Sequence, residues 1–242
     1  MFKRLCLFFA LLVLAPVVQA AGFTPQQRAE IVDILRDALK RDPSILRDAV
    51  AALQDDEARQ ASDAARAAIT ALGPELTRTD GDPVAGNPNG RVTLVEFYDV
   101  RCPYCRRMLP TLATLLAQDH DIRVVYKDLP VLGPASVIGA RALLAAQKQG
   151  GYQKLHDVLM SGPPDISEET IHAASTKLGL NWERMKADMT APDVLARIER
   201  NLAISRKLDI QGTPAYIIGT KMLPGAVELA ELQAAVAAAR TN

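Results

Sequence analysis

The segment VEFYDVRCPYCRRMLP, residues 95–110, constrains the fold of this 242-residue chain more than any other. The β-branched and aromatic residues that lead into it predict a buried strand, and after a short loop a helix should begin at Cys102 and Cys105. Pro110 has no N–H to donate, so this helix should kink there. The run IRVVYK at 122–127 predicts a second strand, and strand–helix–strand order indicates a right-handed parallel βαβ unit.

The position of Cys102 favours a reactive thiol. The first turn of a helix has unpaired N–H groups and the positive end of the helix dipole, and both favour a thiolate. A lowered thiol pKa makes a cysteine a nucleophile and a good leaving group. Cys105 comes one turn later and should be more buried, where it can attack a mixed disulfide and release the substrate. Pro103 suits the first helical position and stiffens the loop.

The first twenty residues, MFKRLCLFFALLVLAPVVQA, match a secretory signal peptide. Lys3 and Arg4 precede an apolar run that is short for a membrane span, and cleavage is predicted between Ala20 and Ala21. An uncleaved N-terminal anchor is the alternative. The chain has 28 basic and 28 acidic residues, and loss of Lys3 and Arg4 leaves 26 against 28. This balance gives no indication of a nucleic-acid partner.

Cleavage would leave the mature protein with only Cys102 and Cys105, because Cys6 lies in the signal segment. Structural zinc normally takes four ligands, and a disulfide that closes so short a loop stabilises little. A two-coordinate copper(I) site needs only two thiolates, so it stays an alternative to thiol–disulfide exchange. No other metal and no cofactor is predicted. The three histidines are predicted to be surface residues, not ligands: His120, His156 and His172.

Residues 21–75 are predicted to form a helical arm. Thr24 and Gln27 make a capping-box pattern at its start, and a second helix should begin after Asp42 and Pro43. Apolar residues, many of them alanine, then recur at three- and four-residue spacing as in a coiled-coil seam. Such a surface must pack on something. We expect it to join copies of the chain into a dimer or trimer, with packing on the following domain as the alternative.

Residues 76–242 are predicted to form one small α/β domain. Its first part, 76–90, is rich in Gly, Pro, Asp and Asn and is expected to be a linker. Residues 134–208 are predicted to be a helical insertion. The segment AYII at 215–218 predicts a further strand, and 227–239 predict a closing helix.

Three of these features together resemble the DsbA-like branch of the thioredoxin superfamily. They are the CPYC motif, the segment QGTPAYIIG at 211–219, and the helical insertion between them. The arm in turn resembles the N-terminal region of ScsC/Com1-type periplasmic thiol–disulfide proteins, which are associated with suppression of copper sensitivity. The resemblance implies a thioredoxin-like fold with a helical insertion, preceded by an N-terminal helical arm.

The resemblance also implies roles for individual residues. Cys102 would be the exposed nucleophile and Cys105 the resolving thiol, and the two would form the redox-active disulfide. Pro214 matches the family's cis-proline, a rare and positionally meaningful bond. Thr213 would then turn its backbone toward the cysteines, where it can pair with a substrate like an added strand.

Glu96 occupies the position where the family often has a buried acid under the disulfide. Strand alternation places it on the same face as Leu94 and Tyr98, and an acid in such a strand is costly without a partner. Lys127 in the neighbouring strand is the predicted partner, and the two could relay the proton of Cys105. An exposed Glu96 at a sheet edge is the alternative.

The residue pair between the cysteines, Pro103 and Tyr104, should set the redox poise. Strongly oxidising relatives have Pro-His there, whose imidazole stabilises the thiolate, so Pro-Tyr predicts a potential between about −120 and about −230 mV. The predicted function is a periplasmic disulfide isomerase or reductase. It would act on cysteine-containing secreted proteins and be kept reduced by a membrane thiol reductase. A dithiol oxidase and a copper(I)-sequestering protein are the alternatives.

Overall fold

A computed structural model describes residues 22–77 and 81–241 of the chain, and in these ranges it contains ten helices and five strands. The chain divides into two compact units between Asp56 and Glu57. The predicted signal peptide lies outside the described residues. Within the described residues, no helix combines the length and the apolar character that crossing a membrane requires.

The first unit consists of helix α1, Pro25–Arg41, and the first part of helix α2, Ser44–Leu72. The predicted capping box is confirmed: the Gln27 N–H donates to Thr24 Oγ1 (3.2 Å), and the Thr24 N–H donates to Gln27 Oε1 (2.9 Å). Asp42 Oδ1 accepts from the N–H of Ser44 (3.0 Å), which marks the start of α2. Large apolar side chains of both helices are exposed: Ile31, Val32, Ile34, Leu35, Leu39, Ile45, Leu46, Val50 and Leu53.

The second unit is built on a five-stranded mixed sheet in the order β1-β3-β2-β4-β5. Strands β2 and β3 are parallel and are joined through helix α4, which confirms the predicted βαβ unit. The other neighbouring pairs are antiparallel. The bounds are β1 Val84–Gly86, β2 Val92–Tyr98, α4 Pro103–Gln118, β3 Ile122–Asp128, β4 Ala215–Ile218 and β5 Lys221–Pro224.

The predicted linker at 76–90 is not a plain linker. Helix α3, Pro74–Thr77, enters it, and β1 forms the edge of the sheet beside β3. A three-residue strand between glycine- and proline-rich turns carries too little alternation to be recognised from sequence. Strand β5 was likewise not predicted. It follows β4 after a two-residue turn.

The predicted helical insertion lies between β3 and β4 and is confirmed as five helices. The closing helix α10 is also confirmed. Their bounds are α5 Pro134–Gln147, α6 Tyr152–Ser161, α7 Glu168–Lys177, α8 Trp182–Asp188, α9 Pro192–Lys207 and α10 Leu229–Ala239.

Each face of the sheet covers a separate apolar core. Leu94 and Tyr98 of β2 point into the larger core, with α4, α5 and α6. Val95 and Phe97 point into the smaller core, where the end of α2 contributes Ile69 and neighbouring residues. Strand alternation thus separates the two sides of the sheet, and this separation decides which polar groups can reach the cysteines.

Candidate active site

The two cysteines lie where β2 passes into α4. Cys102 is the N-cap residue of α4 and Pro103 is its first helical residue, as predicted. The Cys102 N–H donates to the Asp99 carbonyl (2.9 Å), and its carbonyl accepts from the Arg106 N–H (3.1 Å). Both thiols are free. Cys102 is 4% exposed and Cys105 1%, so Cys102 is less exposed than the resemblance implies.

The two thiols differ sharply in acidity. The hydrogen bond from Cys105 is the largest of the causes that lower the pKa of Cys102, to about 5. The side chain of Thr213 and the N–H groups of Tyr104 and Cys105 lower it further, against the opposing effect of burial. Burial, followed by the hydrogen bond to Cys102, raises the pKa of Cys105 far above its usual range. Cys102 is therefore the thiolate at neutral pH, and Cys105 keeps its proton.

Thr213 and Pro214 lie directly against Cys102. The predicted cis peptide bond between Thr213 and Pro214 is confirmed. Cys102 Sγ lies 3.2 Å from the Thr213 carbonyl oxygen. The Pro214 carbonyl accepts from the Gly225 N–H (2.8 Å), which fixes the loop to the segment after β5. The backbone of this loop thus borders the sulfur that would receive a substrate.

Glu96 is buried, as predicted, but its predicted partner is wrong. Glu96 is 2% exposed, and its carboxyl accepts a hydrogen bond from the Tyr216 hydroxyl (3.2 Å). Burial raises the pKa of Glu96 to about 8, and the Tyr216 hydrogen bond opposes that rise. The charge of Glu96 adds to the effect of burial on the pKa of Cys105, so the acid lies within electrostatic reach of that thiol.

Lys127 faces the opposite side of the sheet from Glu96. The register pairs Glu96 with Tyr126 and Phe97 with Lys127, so the two charged side chains leave the sheet on different faces. Lys127 Nζ instead lies 2.5 Å from Asp82 Oδ2, and both side chains are almost fully buried. The sequence shows which residues are charged, but the register of two parallel strands decides which of them meet.

Asp99 holds the segment at 131–132 beside the start of α4. The sequence did not predict this role. Asp99 Oδ2 accepts from the N–H groups of Val131 (2.9 Å) and Leu132 (3.0 Å), and its Oδ1 accepts from the Arg101 N–H (2.8 Å). Val131 and Leu132 are 50% and 44% exposed. Arg106 donates to the Gly162 carbonyl (2.8 Å), which ties α4 to the helical insertion.

A groove of about 740 Å³ runs beside the dithiol, between α4, the loop before β4 and the segment after β5. Tyr104 at its edge is 55% exposed, and the Arg107 guanidinium carbon lies 4.6 Å from the centre of its ring. Apolar side chains form much of the wall: Met108, Ile210, Ala215, Met222, Ala226 and Val227. The groove can hold an extended chain segment next to Cys102.

A second buried acid lies on the Glu96 side of the sheet, at the end of β3. Asp128 accepts from the hydroxyls of Tyr98 (2.9 Å) and Tyr152 (3.1 Å), and burial raises its pKa to about 7. His156 packs on these tyrosine rings and is 1% exposed, so its predicted surface position is wrong. Among residues 22–77 and 81–241, no group of three or more potential metal-ligating side chains is placed to hold an ion.

A parallel βαβ unit, a dithiol at the helix N-terminus and an adjacent cis-proline together define a thioredoxin-like thiol–disulfide protein. Two family models match the chain: the DSBA-like thioredoxin domain over residues 93–237, and the copper resistance protein ScsC N-terminal domain over residues 27–60. The first match covers more than half of the chain. The chain belongs to the DSBA-like thioredoxin family, and its catalytic domain is a thiol–disulfide oxidoreductase domain, as predicted.

Solved structures extend the likeness. A thioredoxin-like oxidoreductase from Silicibacter pomeroyi is 40% identical, with a TM-score of 0.68 over 70% of this chain and 98% of that one. Proteus mirabilis ScsC in a transitional conformation is 32% identical, with a TM-score of 0.65 over 92% of this chain and 99% of that one. The second likeness includes the helical arm.

Curated relatives match about two thirds of this chain. The Na⁺/H⁺ antiporter NhaA 3 of Salinispora tropica is 27% identical over 162 residues, which are 66% of this chain and 25% of that protein. This chain therefore spans about a quarter of the length of the first curated relatives it matches.

Proposed function

We propose that this protein is a periplasmic disulfide isomerase or reductase that acts on cysteine-containing secreted proteins. The observation that carries the proposal is the acidic Cys102 thiol, held 3.2 Å from the Thr213 carbonyl and next to an open apolar groove. A thiolate at neutral pH, a neighbouring backbone edge and room for an extended segment are what exchange with a protein disulfide requires.

The proposed reaction uses both cysteines in turn. The Cys102 thiolate attacks a substrate disulfide, a Cys102–substrate bond forms, and one substrate sulfur leaves as a thiolate. Cys105 then gives its proton to the Glu96 carboxylate and attacks Cys102 Sγ. This closes the Cys102–Cys105 disulfide and releases the second substrate sulfur as a thiolate, which takes a proton from water. In this reduction two electrons pass from the dithiol to the substrate. In isomerisation a substrate thiolate displaces Cys102 before Cys105 attacks, and the substrate leaves with a rearranged disulfide.

Tyr104 supports isomerisation or reduction over strong oxidation. It lines the edge of the groove beside Arg107 and occupies the position at which relatives with Pro-His have an imidazole. The reduced form then has less stabilisation than in relatives with Pro-His, and the potential should be intermediate, between about −120 and about −230 mV. A protein with this poise must be kept reduced, which calls for a membrane thiol reductase as partner.

The arm supports an oligomeric isomerase. Its two helices expose an apolar stripe that a single copy leaves in water, and such stripes mark association surfaces. Association of two or three copies would bring several dithiols to one substrate at high effective concentration. The matched ScsC N-terminal family supports the arm as a unit of its own.

Two ribonuclease assays test the proposal. The reduced protein should reactivate scrambled ribonuclease faster than the Cys105→Ser variant, which forms a mixed disulfide but cannot resolve it. It should oxidise reduced ribonuclease only slowly. Rapid oxidation with no reactivation would favour the dithiol oxidase, and failure in both assays would contradict both activities.

Copper(I) sequestration is the second candidate, possible because two thiols lie within hydrogen-bonding reach of each other. The name of the matched N-terminal family, a copper resistance protein, also supports it and a role in copper stress. Copper(I) binding that is lost in Cys102→Ser, in a wild-type protein without disulfide exchange, would favour this function over the first.

A further inference from the structure

Glu96 and Tyr216 face each other across two neighbouring strands. They are register partners in the antiparallel pair β2–β4, and both side chains are buried. The Tyr216 hydroxyl donates to Glu96 Oε1 (3.2 Å). Tyr216 comes two residues after Pro214, so the strand that begins at the cis-proline also carries the partner of the buried acid.

Glu96, Tyr216 and Cys105 form one electrostatic cluster. Burial is the main cause of the raised pKa of Cys105 and of Tyr216, and the charge of Glu96 raises both further. The charge of Cys105 also raises the pKa of Tyr216. Tyr126 of β3 lies on the other side of Glu96, and its pKa is raised mainly by burial and further by that acid. Glu96 thus lies between two tyrosines, and Tyr216 is the one whose hydroxyl bonds to its carboxyl.

We infer that Tyr216 is a positioning residue of the dithiol reaction. Its hydroxyl holds the Glu96 carboxyl in the orientation that accepts the proton of Cys105. The inference rests on the proposed function, in which Cys105 loses that proton as it attacks the Cys102–substrate disulfide. The phenol fills the role that sequence reasoning gave to Lys127, which lies on the other face of the sheet.

The hydrogen bond favours the charged form of Glu96. A phenylalanine at position 216 would keep the ring and remove the donor, so the carboxyl should hold its proton to higher pH. A hydrogen bond to a charged group is strong enough to move a pKa by about one unit. At neutral pH less of the carboxylate would be present, and Cys105 would be deprotonated more slowly.

The direct test is a ¹³C NMR titration of the reduced protein labelled at the glutamate carboxyl carbons, with the Glu96 signal assigned by its loss in Glu96→Gln. The Glu96 midpoint should lie near 8 in the wild type. It should move up by about one pH unit in Tyr216→Phe. Tyr152→Phe is the matched control, because it removes a buried hydroxyl that bonds to Asp128 and Tyr98. That control should leave the Glu96 midpoint in place.

The kinetic test follows release of glutathione from a Cys102–glutathione mixed disulfide in single turnovers over a range of pH. The rise of this rate with pH should move upward in Tyr216→Phe in step with the Glu96 midpoint. Cys105→Ser should release no glutathione. Thermal unfolding checks that each variant folds, and Tyr216→Leu replaces Tyr216→Phe if the latter does not.

An unchanged Glu96 midpoint in Tyr216→Phe would overturn the contact itself. A moved midpoint with an unmoved rate profile would overturn the positioning role. The carboxyl titration reports on the Tyr216 contact without any substrate. A wild-type protein that reactivates no ribonuclease would therefore contradict the proposed function without contradicting this contact.

Discussion

The Sγ atom of Cys102 lies 3.2 Å from the carbonyl oxygen of Thr213, although 111 residues separate the two along the chain. The contact joins the N-terminus of α4 to the loop that leads into β4. Between these elements lies the whole helical insertion. Cys102 and the backbone edge of Thr213 are therefore held together by the sheet, through the antiparallel pairing of β2 with β4.

Cys102 should ionise near pH 5, and Cys105 should be the main reason. Ultraviolet thiolate absorbance of the reduced protein, followed over pH, should give a midpoint near 5. In Cys105→Ala the midpoint should rise, because this variant removes the thiol that donates a hydrogen bond to the Cys102 thiolate. Cys102→Ser serves as the control and should show no thiolate at neutral pH. A wild-type midpoint near 9 would contradict the assigned roles of the two thiols.

Much of this fold follows from local patterns in the sequence. Val92–Tyr98 and Ile122–Asp128 are apolar runs of strand length, and the helix between them begins at Pro103, so the βαβ unit could be predicted. The segment around Thr213 could be placed because a proline follows it in a recognisable motif. These features depend on neighbours in the sequence, and the structure agrees with them.

Contacts that depend on tertiary packing could not be predicted from the sequence. Lys127 looked like the partner of Glu96 because both lie in adjacent strands, but a register offset of one residue sends their side chains to opposite faces. Nothing in the sequence indicates that Asp99 accepts hydrogen bonds from two N–H groups of a distant loop. His156 looked like a surface residue, because a helix pattern does not say which neighbours will cover it.

Removal of Asp82 alone from its cluster with Lys127 and Arg197 should destabilise the domain strongly. Asp82 accepts from Lys127 Nζ (2.5 Å) and from an Arg197 guanidinium nitrogen (2.5 Å), and its side chain is 3% exposed. Asp82→Asn leaves the buried ammonium without its countercharge, which should lower the free energy of unfolding by about 3–5 kcal/mol. Chemical denaturation measures this directly.

The double variant Asp82→Leu/Lys127→Met is the matched control for the charge cluster. It replaces the buried charges of Asp82 and Lys127 by apolar groups, so it should recover part of the stability that Asp82→Asn loses. An Asp82→Asn protein as stable as the wild type would show that water reaches Lys127. The dithiol lies beyond the sheet from this cluster, so the Cys102 midpoint should change in neither variant.

Asp128 should make the folded protein less stable as pH rises toward neutrality. Its pKa is raised from 3.8 to about 7, mainly by burial, so the folded state binds the proton more tightly than the unfolded state. The stabilisation is complete below the unfolded pKa and is lost as pH rises through the folded pKa. Urea unfolding between pH 4 and 8 should show the free energy falling with pH, by up to about 1.4 kcal/mol per pH unit for one such group.

A background of Cys102→Ser/Cys105→Ser removes the thiol titrations from this experiment. In that background Asp128→Asn should reduce the slope below pH 7, and the slope that remains should come from Glu96, whose raised pKa of about 8 acts in the same direction. Glu96→Gln should then remove the remainder. A slope that is unchanged by Asp128→Asn would mean that the Tyr98 and Tyr152 hydroxyls keep Asp128 ionised.

The apolar stripe of the arm should hold copies of the chain together. Leu46 and Leu53 of α2 are both 58% exposed and lie two turns apart on one side of the helix. Leu46→Glu/Leu53→Glu puts charges into that stripe, so the mass of the assembly in solution should fall to that of one chain.

Asp48→Asn/Asp55→Asn is the control: it also changes two charges, but on the opposite side of α2, and should leave the mass unchanged. The dissociated variant should keep the Cys102 midpoint near 5 and lose ribonuclease reactivation more than simple dithiol reactivity. A wild-type protein that already has the mass of one chain would contradict the association and leave the isomerase proposal to rest on the dithiol alone.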